Sequence, residues 1–318
     1  MKKVYDKLDE MPWGQSADNV VPGCLVLEGG GWKGLYTVGV IDRLMTDNIN
    51  LRTTIGVSAG ALSGLVYLSG QIGIAVRMDL TYRHDPNYCG IGALRRDHGV
   101  TGFTYLYESI FPALGMNKER IIHSPRRLVV VAANMETGQA EYFEKGKCNL
   151  SAAVRASASV PMLSRPGRIN GVPYLDGGCA DKIPYEWAKS CGEEKIVVVK
   201  TREWEYRRKE EESRLVKSFY REYPNFVTAM NNANAQFNRV TEELQADDAA
   251  GKIVAIAPSK PVKVTRFEGD LDKLADLYWL GWHDTEAALP RLKAYLGIDG
   301  QTEAPAAKDP RPTGTEEE

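Results

Sequence analysis

The residues best able to do covalent chemistry in this sequence are a serine and an aspartate, each set among glycines. Gly56-Val57-Ser58-Ala59-Gly60 has G-x-S-x-G form, in which small neighbours let a strand turn sharply into a helix and present the hydroxyl. A serine hydroxyl is a poor nucleophile alone. It needs a base within hydrogen-bond reach, and donors for the oxyanion that forms when it attacks an ester carbonyl. Tyr174-Leu175-Asp176-Gly177-Gly178 follows the turn Asn170-Gly171-Val172-Pro173. The carboxylate therefore falls at the end of a short extended segment, ahead of glycines that let another backbone come close. Taken by itself, such an aspartate is more often a turn former than a catalytic base.

Candidate oxyanion donors lie upstream, in Glu28-Gly29-Gly30-Gly31-Trp32-Lys33-Gly34. A glycine run at a strand end can aim successive backbone N–H groups into one small space. The same residues also satisfy G-x-G-x-x-G, so a dinucleotide-binding oxidoreductase is the rival reading. That fold needs an acidic residue at the end of the second strand, roughly 20 residues on, to hold the ribose. Here that strand ends in Ser58, and Asp47 sits in Thr46-Asp47-Asn48, a helix end ahead of the strand. Of the four histidines (His84, His98, His123, His283), only His283 follows Ser58 and Asp176 in the chain order of an α/β-hydrolase triad. It falls in Leu277-Tyr278-Trp279-Leu280-Gly281-Trp282-His283, an amphipathic helical stretch where a histidine is expected at the surface.

The elements that must position these groups are readable as alternating strands and helices. A short apolar run, Cys24 to Glu28, stops at the three glycines, and Val38, Ile41, Leu44 and Met45 then recur at helical spacing. The pattern repeats with β-prone Thr54 to Val57, the turn at Ser58, and Leu62, Leu65, Val66 and Leu68. Two βα units in succession imply parallel strands. Further strands are expected at Leu128–Ala133, Gln139–Phe143, Lys195–Lys200 and Lys252–Ala257, mostly as apolar runs suited to strands covered on both faces. A last helix is expected over Leu271–Leu296, with Pro290 kinking or splitting it. The stretch from Trp204 to Tyr223 mixes aromatics with Arg207, Arg208, Lys217 and Arg221. It is read as a helix whose Val216, Phe219, Tyr220 and Tyr223 stripe packs on the body, with transient membrane contact as the alternative.

Length and charge limit what the protein can be. The 318 residues carry 40 basic and 42 acidic side chains, a formal charge of −2, so no global field draws the chain to nucleic acid. Five widely spaced cysteines without a C-x-x-C pair argue against a disulfide framework or structural zinc. The N-terminal residues lack the apolar stretch of a secretory signal, and a cytoplasmic location is expected. The chain divides into an N-terminal extension (1–19), one catalytic domain (20–298) and a disordered tail (299–318) rich in Pro, Thr and Glu.

A glycine-rich G-G-G-x-K-G loop, then G-x-S-x-G about two dozen residues on, then D-G-G, in that order, resembles the patatin-like phospholipase family. A fourth match is Arg155-Ala156-Ser157-Ala158-Ser159-Val160-Pro161, similar to a stretch that the family carries ahead of its aspartate. The resemblance implies an α/β fold, a three-layer α/β/α sandwich on a mostly parallel sheet. It also implies a Ser-Asp dyad, without a catalytic histidine, that hydrolyses acyl esters of phospholipids or related lipids. Carried over by position, Ser58 is the nucleophile, Asp176 the base, and the Gly29, Gly30 and Gly31 amides the oxyanion hole. Lys33 takes the basic position of the loop, with Gly34, Gly56, Gly60, Gly177 and Gly178 as supporting glycines. Glu28 stands where many members have aspartate. No metal or organic cofactor is implied, and a non-catalytic lipid-binding relative is the other alternative.

Overall fold

Strand order explains how residues distant in sequence come to share one edge of the sheet. The computed structural model describes residues 4–210 and 212–298, so the tail expected at 299–318 lies outside the described residues. The main sheet has eight strands: β1 (Val21–Leu27), β2 (Leu51–Val57), β3 (Arg127–Asn134), β4 (Ala140–Glu144), β5 (Gly167–Ile169), β6 (Val172–Asp176), β7 (Ile196–Val199) and β8 (Val254–Ile256). Their order is β8-β7-β1-β2-β3-β6-β5, with β4 also paired to β3. The five strands from β8 to β3 run parallel, whereas β4, β5 and β6 make antiparallel pairs.

Alternate residues of the parallel strands enter two separate cores, as the period of two requires. Leu25 and Leu27 of β1 pack with Leu44, Leu274 and Tyr278 on one face. Cys24 and Val26 pack with Phe237, Val240 and Leu244 on the other. The first layer contains helices α1 (Gly34–Thr46) and α2 (Ala59–Ser69), a short α3 (Leu150–Ser157) beside β3, and the last helix; the opposite layer contains a long helix over Pro224–Ala249. This is the expected three-layer arrangement, with strands that read as continuous Val, Ile and Ala because both faces are covered.

A short helix α4 (Arg214–Phe219) precedes the long helix, α5 (Pro224–Ala249), and the last helix is α6 (Leu271–Leu296). Contrary to the expected split, α6 continues through Pro290. Pro290 and Glu286, whose carbonyl loses its amide partner, both lie on the exposed side, while Leu289, Leu292 and Leu296 stay buried. Water can satisfy the freed carbonyl there. Close packing of α6 on α1 depends on glycine. A Cβ on Gly281 would stand 2.1 Å from the Tyr36 carbonyl oxygen, and one on Gly39 2.0 Å from that of Tyr278. The stripe expected between Trp204 and Tyr223 is only partly right. Val216 and Tyr220 are buried, but Phe219, at the last residue of the short α4, is 62% exposed.

Candidate active site

Ser58 occupies the turn between β2 and α2 with φ 55° and ψ −119°, a backbone region that costs a non-glycine residue about 1–3 kcal/mol. Two glycines make the turn feasible. A Cβ on Gly56 would stand 2.4 Å from the Gly60 carbonyl oxygen, and one on Gly60 2.4 Å from that of Leu27. The strained serine is pinned from behind, where its backbone N–H donates to Ser157 Oγ at 2.8 Å.

The register of β3 brings the aspartate to this turn. Val57, the last residue of β2, pairs with Val131, and Asp176, the last residue of β6, pairs with Ala132, the next residue along β3. Since β4 occupies the other edge of β3 at the same residues, β2 and β6 meet end to end on one edge. Ser58 Oγ accordingly donates to Asp176 Oδ2 at 2.8 Å. The second carboxylate oxygen, Oδ1, accepts from the Gly178 N–H at 2.8 Å. Burial pushes the Asp176 carboxyl above its ordinary value, against the opposing pull of these two hydrogen bonds and of the Arg266 and Lys182 charges. A carboxylate so raised is a better proton acceptor than one in water.

The stretch from Arg155 to Pro161 holds both partners. Besides the Ser157 contact, the Ser159 carbonyl accepts from the Asp176 N–H at 2.9 Å. Arg155 anchors the segment through Asp97, with Nη1 and Oδ1 3.0 Å apart. Sequence reading found this motif without its task, which only the fold reveals. It also read the turn ahead of Asp176 without the strand β5 that makes it a hairpin. Asn170 and Gly171 have φ of 51° and 83°, a two-residue turn with both angles positive, and Asn-Gly is its usual sequence.

Among the expected oxyanion donors, Gly29 differs from the other two. Its N–H already donates to the Lys182 carbonyl at 3.4 Å. Gly30 and Gly31 line the same cavity as Ser58, and among the described residues no acceptor takes their N–H groups. Ala59, also in the lining, opens α2, where first-turn N–H groups have no intrahelical partner. Sequence reading missed Ala59, although the residue after an elbow serine is a usual donor. Glu28 is fully buried, and its Oε2 accepts from the Thr201 N–H at 2.7 Å, tying the glycine loop to the end of β7.

The cavity measures about 330 Å³. Its apolar lining includes Val38, Leu62, Val66, Met78, Tyr88 and Phe111, between α1, α2 and their neighbours. Lys33 and Lys182 line it as well. Burial, helped by the charges of Arg202, Arg266 and Arg208, pulls the Lys33 ammonium down to about 8. Burial and the Arg208 charge likewise bring Lys182 down to about 8.

The rival residues lie elsewhere. His283 is on the exposed side of α6, stacked over Trp279, with Nδ1 3.4 Å from Glu286 Oε2. None of the four histidines lines the cavity. Asp47 caps α1 and pairs with Arg43 and Lys293 at 3.0 and 2.9 Å. Among the described residues no group of three or more His, Cys, Asp or Glu could hold a metal ion, and no helix is long and apolar enough to cross a membrane.

Comparison with known proteins places this geometry. Residues 25–189 match the family model for patatin-like phospholipase, and residues 223–297 match a domain of unknown function, DUF6363. Escherichia coli YjjU, described as an uncharacterized protein, is 29% identical over 56% of this chain and 51% of its own length. The probable lipid hydrolase 463L of Invertebrate iridescent virus 6 is 24% identical over 52% of this chain and 62% of its own. The chain thus spans about half the length of the first of these relatives. Among solved structures, VipD of Legionella pneumophila superposes with a TM-score of 0.43 at 15% identity, over 88% of this chain and 70% of its own. Because the first matched segment covers just over half of the chain and contains the glycine loop, the strained serine and the aspartate beside it, the protein belongs to the patatin-like phospholipase family.

Proposed function

We propose that the protein is a serine carboxylic ester hydrolase that cleaves acyl esters of lipids through an acyl-Ser58 intermediate, with Asp176 as the base. The observation that carries this reading is the direct 2.8 Å hydrogen bond from Ser58 Oγ to Asp176 Oδ2 at a strained strand-to-helix turn. As Ser58 Oγ attacks the ester carbonyl carbon, its proton passes to Asp176 Oδ2, and the carbonyl oxygen gains negative charge. The N–H groups of Gly30, Gly31 and Ala59 receive that charge. One such donor typically supplies about 3 kcal/mol of transition-state stabilisation. Collapse of the tetrahedral intermediate breaks the bond to the alcohol oxygen, which leaves with the proton held by Asp176. Water then attacks the acyl-serine carbonyl, giving its proton to Asp176. The second collapse releases the acid and returns the proton to Ser58.

The apolar lining between α1 and α2 supports an acyl chain as the part of the substrate that is bound. Family membership and the relative named a probable lipid hydrolase support lipid as the substrate class. Hydrolysis of a medium-chain nitrophenyl ester tests the reading. Turnover in the wild type that vanishes in a folded Ser58→Ala variant is the expected result, and equal turnover in both contradicts it.

A further inference from the structure

Five cations line the cavity that holds Ser58: Lys33, Lys182, Arg202, Arg208 and Arg266. The carboxylates in the same lining are Asp79 and Asp176. Asp79 is capped by the Tyr88 hydroxyl at 3.1 Å, and burial pushes its carboxyl up to about 7. Asp176 is engaged by Ser58 and likewise raised. Among the described residues, none of the five cations makes an ion pair with a carboxylate. Glu28 faces Lys33 and Arg208 through space, but one of its oxygens is spent on the Thr201 N–H.

The arginines are held in place by neutral groups, and the one carboxylate that acts on Arg208, Glu28, does so without a direct ion pair. Arg202 donates through Nη1 to the Val262 carbonyl at 2.7 Å and lies 4.3 Å from the Tyr206 ring centre. Arg208 lies 4.6 Å from the Phe237 ring centre. The Nε atoms of both are buried without a hydrogen-bond partner. Arg266 backs onto the glycine loop, its carbonyl oxygen 3.1 Å from where a Cβ on Gly31 would stand. Cations that repel one another inside a cleft, without paired carboxylates, are stabilised by a bound anion, and guanidinium groups suit phosphate oxygens.

Resting on the ester-hydrolase reading, we propose that the substrate's alcohol part carries a net-anionic phosphate head group, held by Lys182, Arg202, Arg208 and Arg266, in preference to a neutral or zwitterionic head. A quaternary ammonium would enter a field of like sign, with no ionised carboxylate in the lining free to receive it. Arg202, Arg208 and Arg266 all lie outside residues 25–189 matched to the patatin-like model. The three arginines of the head-group site therefore come from the segments that follow it, while Lys182 and the acyl chemistry lie within it.

Calorimetric binding of non-hydrolysable ether lipids of one chain length tests this directly. An ether analogue of 1-acylglycerol 3-phosphate should bind at least tenfold more tightly than the matching glycerol or phosphocholine ethers, and more tightly than glycerol 3-phosphate itself. That preference should fall at least tenfold in Arg202→Gln/Arg208→Gln and in Arg266→Gln, the latter a change at an exposed residue for use should the double variant unfold. Equal or weaker binding of the phosphate lipid overturns the proposal, as does a preference that survives in a folded variant. Binding of glycerol 3-phosphate as tight as that of the lipid also overturns it, since the site would then serve a soluble phosphate. Turnover of the uncharged nitrophenyl ester is scored separately. Its absence alongside phosphate-selective binding would reject the hydrolase reading and leave the anion site standing.

Discussion

Val57 and Asp176 occupy successive residues along one edge of β3, opposite Val131 and Ala132. The serine that follows Val57 therefore meets the aspartate side chain without any intervening residue. The arrangement has no place between them for an imidazole: Ser58 Oγ and Asp176 Oδ2 are already 2.8 Å apart.

The first expectation separates a dyad from a triad. Asp176→Asn should reduce ester turnover by three orders of magnitude or more, because the amide cannot take the serine proton. His283→Ala should retain most of the wild-type rate, since His283 touches Trp279 and Glu286 on the exposed side of α6. In a triad, loss of the histidine would itself cost several orders of magnitude. Steady-state kinetics of the two variants, with circular dichroism to show folding, decides between them.

Ser157 is a positioning residue. Its hydroxyl accepts the Ser58 N–H at 2.8 Å and is fully buried, so Ser157→Ala leaves that N–H unsatisfied at a cost of about 1–3 kcal/mol. The turn should relax, lowering kcat roughly tenfold with KM little changed. A fall in kcat matched by an equally slower reaction with a covalent serine probe would tie the effect to the nucleophile's placement. An unchanged probe rate would exclude that role.

The pH profile should have a displaced acid limb. Asp176 must be ionised to accept the proton, and burial raises its carboxyl. Turnover should thus be lost, as pH falls, at a value above the ordinary carboxylate range. On the alkaline side, Lys33 and Lys182 are pulled down to about 8 and become neutral above that pH. Turnover of a phosphate-bearing ester should then decline above about pH 8 more steeply than that of an uncharged one. Parallel profiles for the two substrates would contradict this account of the lysines.

How much of this was legible beforehand depended on how local the signal was. The strands around Leu25, Ile55, Val129 and Val198 announce themselves as apolar runs because both faces are buried. The turn at Ser58 is marked by glycines at which any side chain would crowd a backbone carbonyl. Pro290 does not split its helix, because the carbonyl it leaves without an amide partner faces solvent on the exposed side. That the Gly29 amide donates to the Lys182 carbonyl was not legible, because the two are far apart in sequence. The cationic lining was out of reach for the same reason. Lys33, Lys182 and Arg266 come from three separate segments, and Arg202 and Arg208 share a fourth between β7 and α4; nothing in the sequence spacing of the four segments says they converge.

The α1–α6 contact offers a stability test away from the site. Gly281→Ala would place a Cβ 2.1 Å from the Tyr36 carbonyl oxygen, forcing the helices apart at a cost of about 1–3 kcal/mol. Thermal unfolding should shift down by several degrees. An unchanged melting temperature would show that the helices can separate freely at this crossing.

The central claim is that Ser58 is an activated nucleophile served by Asp176, and covalent labelling by a fluorophosphonate, read by intact mass and peptide mapping, tests it most directly. The account predicts one adduct, on Ser58, absent from Ser58→Ala and formed far more slowly in Asp176→Asn. Labelling that persists in folded Ser58→Ala, or proceeds at the wild-type rate in Asp176→Asn, would contradict it.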